Sequence, residues 1–236
     1  MTTFPAPLPH GPIREIFPDV FVVRGSFRMA PLVSIARNMI ILRRGTDLTL
    51  VNSVRLSAAG EAELTKLGAV KHLVKLGAFH TLDDPYYKSR FAPTFWAPAP
   101  QDAKTEKLVD GGPSPSEGVS VFSFERTKKG EAALVVAQPQ GNLLVTCDRV
   151  QNWVDTEGCS LFGGLATRAL GFIEPAKIGP MWLKAMTGGK PSALKPDFDR
   201  LLARDFVHLI AGHGDLLRDE ARTALARSCE KTLRAG

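Results

Sequence analysis

The chain has 236 residues, with 30 Lys+Arg against 24 Asp+Glu, a formal net charge of +6, 44% hydrophobic residues and 23% charged ones. These are ordinary globular values, so intrinsic disorder and collagen-like architectures are excluded. No apolar run reaches the roughly 18 residues of a membrane span. Cys147, Cys159 and Cys229 are too few for a disulfide scaffold and contain no CxxC pair for a zinc ribbon.

Residues 1–12 read as an irregular, Pro-rich arm without the apolar core of a secretory signal. With so few cysteines, that makes the cytoplasm the expected compartment. The β-branched run VFVVRG (20–25) predicts a strand ending at Gly25, and NMIILRRG (38–45) and LTLVNSV (48–54) predict two more around a Gly45 turn. Ser57, Glu61 and Glu63 suit a helix start, with Gly68 as its stop. VKHLVKL (70–76) reads as a strand, DDPYYKSRF (83–91) as a short helix and PTFWAP (93–98) as a strand.

The stretch 99–118 reads as loop. Three strands follow, GVSVFSFE (118–125), AALVVAQ (132–138) and NLLVTCD (142–148), with tight turns between them. Residues 160–200 mix helical stretches with Gly and Pro breaks; DFVHLIAGHG (205–214) predicts a strand ending in a Gly-His-Gly loop. Leu217, Ala221, Ala224, Leu225, Ser228 and Leu233 then fall at helical spacing. Each half supplies strands with helices outside them, the ingredients of two packed sheets between helical layers.

Three polar residues stand where apolar strands end: His80, Asp148 and His213. Two histidines and an aspartate are a plausible ligand set for zinc or iron(II), although their wide sequence separation proves nothing. His72 and His208 sit inside apolar strands and read as satisfied core or edge residues, and Cys147 reads as a small buried residue. The basic surplus concentrates in 160–195, where Arg168, Lys177, Lys184, Lys190 and Lys195 face only Glu174. No basic tail, aromatic stacking motif or helix-turn-helix accompanies it, so nucleic acid is the least favoured partner.

NLLVTCDRVQNW (142–153) and VHLIAGHGD (207–215) resemble two motifs of the metallo-β-lactamase superfamily, a strand followed by T/S-G-D and a strand followed by P-G-H-G. The opening strands, AELTKLGAVKHLVKL and PTFWAP match further parts of that succession. The resemblance is closest to an uncharacterised branch with an altered metal loop. It implies an α/β (α+β) fold, a four-layer αββα sandwich of two mixed β-sheets. It also implies one domain over 1–236, with halves at about 13–98 and 118–236. The superfamily's H-x-H-x-D-H loop is degenerate here: His80 matches its last histidine, Phe79 stands at its aspartate and Gly77 at its middle histidine.

The resemblance thus implies His80, Asp148 and His213 as ligands of at most one zinc, iron or manganese ion. Asp83 or Asp84 would take over orientation of the nucleophile, and Phe172, Met181, Trp182 and Lys184 would form a lid over a small-molecule substrate, an anionic one suiting its basic charge. The reaction would be hydrolysis of an ester, thioester, lactone or phosphoester. The alternative is a metal-free, non-catalytic member that binds a small molecule or protein partner in the former cleft. Oligomeric state is not legible.

Overall fold

The computed structural model describes residues 4–80 and 82–234, so the first three residues of the expected arm lie outside it. One sheet holds seven strands side by side in chain order: β1 (Arg14–Phe17), β2 (Val20–Ala30), β3 (Val33–Arg44), β4 (Asp47–Val51), β5 (Ala69–Val74), β6 (Thr94–Ala97) and β7 (Thr105–Lys107). Short turns join β1 to β4, so these strands are antiparallel neighbours. Helices α1 (Ala58–Leu67) and α2 (Asp84–Phe91) carry the chain back between β4, β5 and β6, which are therefore parallel. The side chain of Ser57 caps α1 by accepting from Gly60 N, as its place in the sequence predicts.

The second sheet contains β8 (Val119–Phe124), β9 (Glu131–Val136), β10 (Leu143–Val145) and β13 (His208–Ile210), in the order β13-β10-β9-β8. Between β10 and β13 lie a two-stranded ribbon, β11 (Val150–Gln151) with β12 (Lys177–Ile178), and helices α3 (Leu161–Ala169), α4 (Pro180–Thr187) and α5 (Lys195–Leu202). That long excursion lets β13 return parallel to β10. Helix α6 (Ala221–Thr232) follows.

Three apolar layers result. Ile40, Leu42 and Val74 of the first sheet meet Val121, Leu134 and Val145 of the second. Leu64 of α1 and Tyr87 of α2 cover the outer face of the first sheet. Trp182, Phe198 and Leu225 of α4, α5 and α6 cover the second. The order helix, sheet, sheet, helix is the αββα sandwich expected from the sequence.

Three local differences have physical reasons. β2 does not stop at Gly25: it runs to Ala30 and pairs with β3 along its whole length. Gly25 is a mid-strand position where a Cβ would come within 2.5 Å of Val54 Cγ1, so the glycine serves packing and not termination. The strand expected over 48–54 ends at Val51, because Asn52 turns into the left-handed region at φ 56°. The segment read as loop over 99–118 contributes β7, whose polar sequence Thr-Glu-Lys gives no apolar signal.

Candidate metal centre

Strand register brings the candidate ligands together. β10 and β13 pair Val145 with Ile210, so Asp148 and His213 each lie three residues beyond that pair, side by side. Asn38 of β3 and Asn52, just after β4, hold these loops. Asn38 Nδ2 donates to the carbonyls of Ala211 (3.0 Å) and Gly214 (2.7 Å), and Asn52 Nδ2 donates to Thr146 O (2.9 Å). His80 arrives from the loop after β5.

The ligand atoms form a nearly equilateral triangle. His80 Nε2 lies 3.1 Å from His213 Nε2 and 3.4 Å from Asp148 Oδ1, and His213 Nε2 lies 3.2 Å from that same oxygen. Three donors bound tetrahedrally at about 2.0–2.1 Å stand about 3.3 Å apart, so the triangle fits a single zinc-like ion. Orientation agrees with the spacing. His213 Nδ1–H donates to Ala36 O at 2.7 Å, which leaves the Nε2 lone pair facing the other two residues. Trp153 stacks on the His213 ring at 5.9 Å and 16°. Among the described residues this is the one group of three or more such side chains with metal-ligand spacing.

No protein-family model matches the chain, and no curated relative matches it. Solved structures do. The metallo-β-lactamase FIM-1 from Pseudomonas aeruginosa, solved in its mono-zinc form, is 13% identical, with a TM-score of 0.63 over 96% of this chain and 97% of that one. A metallo-β-lactamase from Erythrobacter litoralis is 9% identical, with a TM-score of 0.61 over 93% and 92%. One from Hirschia baltica is 15% identical, with a TM-score of 0.58 over 92% and 98%. The chain has the metallo-β-lactamase fold.

Within that fold the protein's own groups set the charges around the triangle. Burial would raise the Asp148 carboxyl, but the His80 and His213 imidazoles beside it outweigh burial and hold it well below the usual carboxylate range. Its Oδ2 accepts from the Cys147 thiol at 3.2 Å; Cys147 is fully buried, and burial pushes that thiol up.

Asp83 and Asp84 are placed elsewhere. Asp83 pairs with the Arg37 guanidinium and accepts from Arg55 N at 2.8 Å. Asp84 is buried, accepts from Ser53 Oγ at 2.6 Å, and has its pKa raised, chiefly by burial. Neither belongs to the ligand triangle. The lid residues divide. Phe172, Met181 and Trp182 line a cavity of about 560 Å³ that opens from the triangle, whereas Lys184 is exposed on α4 and stands outside its wall. His72 and His208 are engaged in the protein: Trp96 Nε1 donates to His72 Nδ1 (3.1 Å), Asp219 N donates to His208 Nδ1 (3.0 Å), and His208 Nε2 donates to Gln140 O (3.2 Å).

The loop after β5 packs closely on a buried charged pair. A Cβ at Gly77 would lie 2.8 Å from both carboxylate oxygens of Glu131. Glu131 and Arg149 are fully buried behind the loop, with Glu131 Oε1 3.8 Å from Arg149 Nη2. Burial pushes Glu131 up to about 8 despite that cation, and brings Arg149 down to about 10. This pair escaped sequence reading because Glu131 follows the turn KKG and Arg149 follows Asp148, positions that ordinarily face solvent. Trp153 and Arg37, which support and line the site, were also missed.

Proposed function

We propose that this chain is a metal-dependent hydrolase that holds one metal ion between His80, Asp148 and His213 and cleaves an ester-like bond. The observation that carries the reading is the 3.1–3.4 Å triangle of donor atoms at the mouth of a cavity. When bound, the ion supplies Lewis acidity, polarising the scissile group and acidifying a water. The protein's own groups do the rest. The Ala36 carbonyl keeps His213 in the tautomer that presents Nε2. Asp148, held ionised, is the carboxylate lining the cavity, and it orients the nucleophile as a hydrogen-bond acceptor. Phe79 and Trp153 flank the site with apolar surface that limits water. Asp83 and Asp84, occupied by Arg37 and Ser53, take no part in the chemistry.

The test is hydrolysis of 4-nitrophenyl esters and acyl thioesters by chelator-treated and zinc-reconstituted protein. The reading expects zinc-dependent turnover that falls at least about 100-fold in Asp148→Asn and His213→Ala, the scale of losing essential catalytic groups. Turnover that is equal without metal, or unchanged in both variants, refutes it. So does a zinc-loaded protein with no turnover of either class, which favours a non-catalytic binding cleft.

A further inference from the structure

The wall of the 560 Å³ cavity is almost wholly apolar. The β2–β3 hairpin gives Phe27 and Ile35, the loop after β11 gives Trp153, and the α3–α4 region gives Phe172, Met181 and Trp182. The polar residues of the wall outside the triangle are already engaged by the protein. Arg37 pairs with Asp83. Gln151 donates to Asp148 O at 3.0 Å and accepts from Trp153 Nε1 at 2.8 Å. Thr167 Oγ1 donates to Gly163 O at 2.9 Å. Nor do the lysines of 160–195 supply a cation to this wall: Lys177 pairs with Glu174, Lys195 pairs with Asp199, and neither Lys184 nor Lys190 lines it.

The mouth is apolar as well. Helix α3 is built inside out. Its buried face is Gly163, Gly164 and Thr167, while Leu161, Phe162 and Leu165 are 75%, 53% and 55% exposed. The glycines let the helix backbone settle on β3, where Ser160 N donates to Ser34 O at 2.9 Å and Ser160 Oγ donates to Leu32 O at 2.7 Å. Large side chains that would ordinarily form a core are thereby left exposed on α3, and Leu170 and Met181, also exposed, line the cavity at its rim.

We infer that the non-reacting part of the substrate is an uncharged, medium- to long-chain acyl group, seated between the β2–β3 hairpin and α3–α4 with its carbonyl end at the triangle. The inference rests on the hydrolase reading for the carbonyl end, but the acyl seat stands on the cavity alone. A cavity of this size lies inside the range of about 300–1,000 Å³ that takes ligands of such bulk. Apart from Trp182 Nε1, which has no hydrogen-bond partner among the described residues, the polar side chains of the wall outside the triangle are engaged, so the wall rewards added methylenes and offers little to a charged or hydroxylated body.

The experiment is displacement of Nile red, together with quenching of Trp153 and Trp182 fluorescence, by straight-chain carboxylates from hexanoate to dodecanoate below their micellar concentrations. It is run on the full chain both zinc-free and zinc-loaded. The expected result is a Kd that tightens about 3- to 4-fold for each added methylene, the transfer value of a buried methylene, until the cavity is filled. Leu170→Gln and Met181→Gln, both at exposed rim positions, are expected to weaken dodecanoate at least about 10-fold and to leave zinc stoichiometry unchanged. Ala166→Trp, which fills part of the cavity, is expected to shift the preference to shorter chains. A Kd independent of chain length, or rim variants that bind dodecanoate as the parent does, overturns the inference. Chain-length dependence in a protein that takes up no zinc supports the acyl seat while sinking the hydrolase reading. Zinc uptake and turnover without chain-length dependence do the reverse.

Discussion

The inward glycine of α3 offers a sharp test of how this cleft is built. A Cβ at Gly163 would fall inside van der Waals contact of the Ser34 carbonyl oxygen and 2.9 Å from its carbon, both backbone atoms of β3. Neither can rotate away, so Gly163→Ala has to lift α3 and stretch the Ser160–Ser34 hydrogen bond. Overpacking costs about 1–3 kcal/mol, and a weakened hydrogen bond adds about 1 kcal/mol. The better helix propensity of alanine returns about 1 kcal/mol. The net expectation is a loss of about 1–3 kcal/mol, read as a lower urea midpoint with an unchanged m-value. Gly164→Ala is the internal control. Its nearest contacts would be side-chain atoms of Thr156, Oγ1 at 3.0 Å, which a rotamer change moves, and Cβ at 3.2 Å, which has to give only a few tenths of an ångström. It should lie within about 0.5 kcal/mol of the parent or gain slightly from helix propensity. A Gly163→Ala protein as stable as the parent would refute the close docking of α3 on β3, and with it the wall of the cleft.

Other consequences follow from the buried groups. Glu131 is raised from 4.5 to about 8 in the folded chain, so the folded state keeps a proton that the unfolded state releases. Stability should therefore fall as pH rises from about 4.5 to about 8, by at most about 1.4 kcal/mol per pH unit, and level off above. Urea titrations of the parent and Glu131→Gln across that window check this, because the glutamine variant should lack the slope; equal slopes would contradict the assignment to Glu131. Asn38 is no ligand, yet its side-chain amide holds the carbonyls on either side of His213. Asn38→Ala should weaken zinc binding about 10- to 100-fold, as loss of a group that orients a ligand does, and isothermal titration with zinc measures it. Leu161→Ser with Phe162→Ser alters only exposed side chains, so the urea midpoint should stay within about 0.5 kcal/mol of the parent.

Residues at the ends of apolar strands were legible, because a strand that stops in Asp or in Gly-His-Gly announces where a rigid support hands over to a loop. Asp148 and His213 stood out for that reason, and parallel pairing of β10 with β13 brings them into register. The partners that fix them were not legible. Asn38 lies within a run of strand residues, and its two long-range hydrogen bonds reach 173 and 176 residues along the chain. The hairpin wall was lost because Gly25 resembles a strand terminator until Val54 is seen against it. Helix α3 misleads in the same way. Its leucines and phenylalanine suggest a buried face, and only the carbonyl of Ser34 beneath Gly163 shows that the small residues are the inward ones. The Glu131–Arg149 pair breaks the rule that charged residues bound strands at the surface. Its space adjoins Gly77, where a longer side chain would collide with it.

We propose one metal per chain in the triangle of His80, Asp148 and His213. Elemental analysis with zinc titration calorimetry on chelator-treated protein tests it most directly, beside Asp148→Ala and His213→Ala. One zinc per chain is expected in the parent, with loss of that stoichiometric site in either variant. A rise in unfolding free energy of about 2.7 kcal/mol is expected at a free zinc concentration 100-fold above Kd. A parent that binds no zinc, iron or manganese, or variants that bind zinc as the parent does, would contradict it.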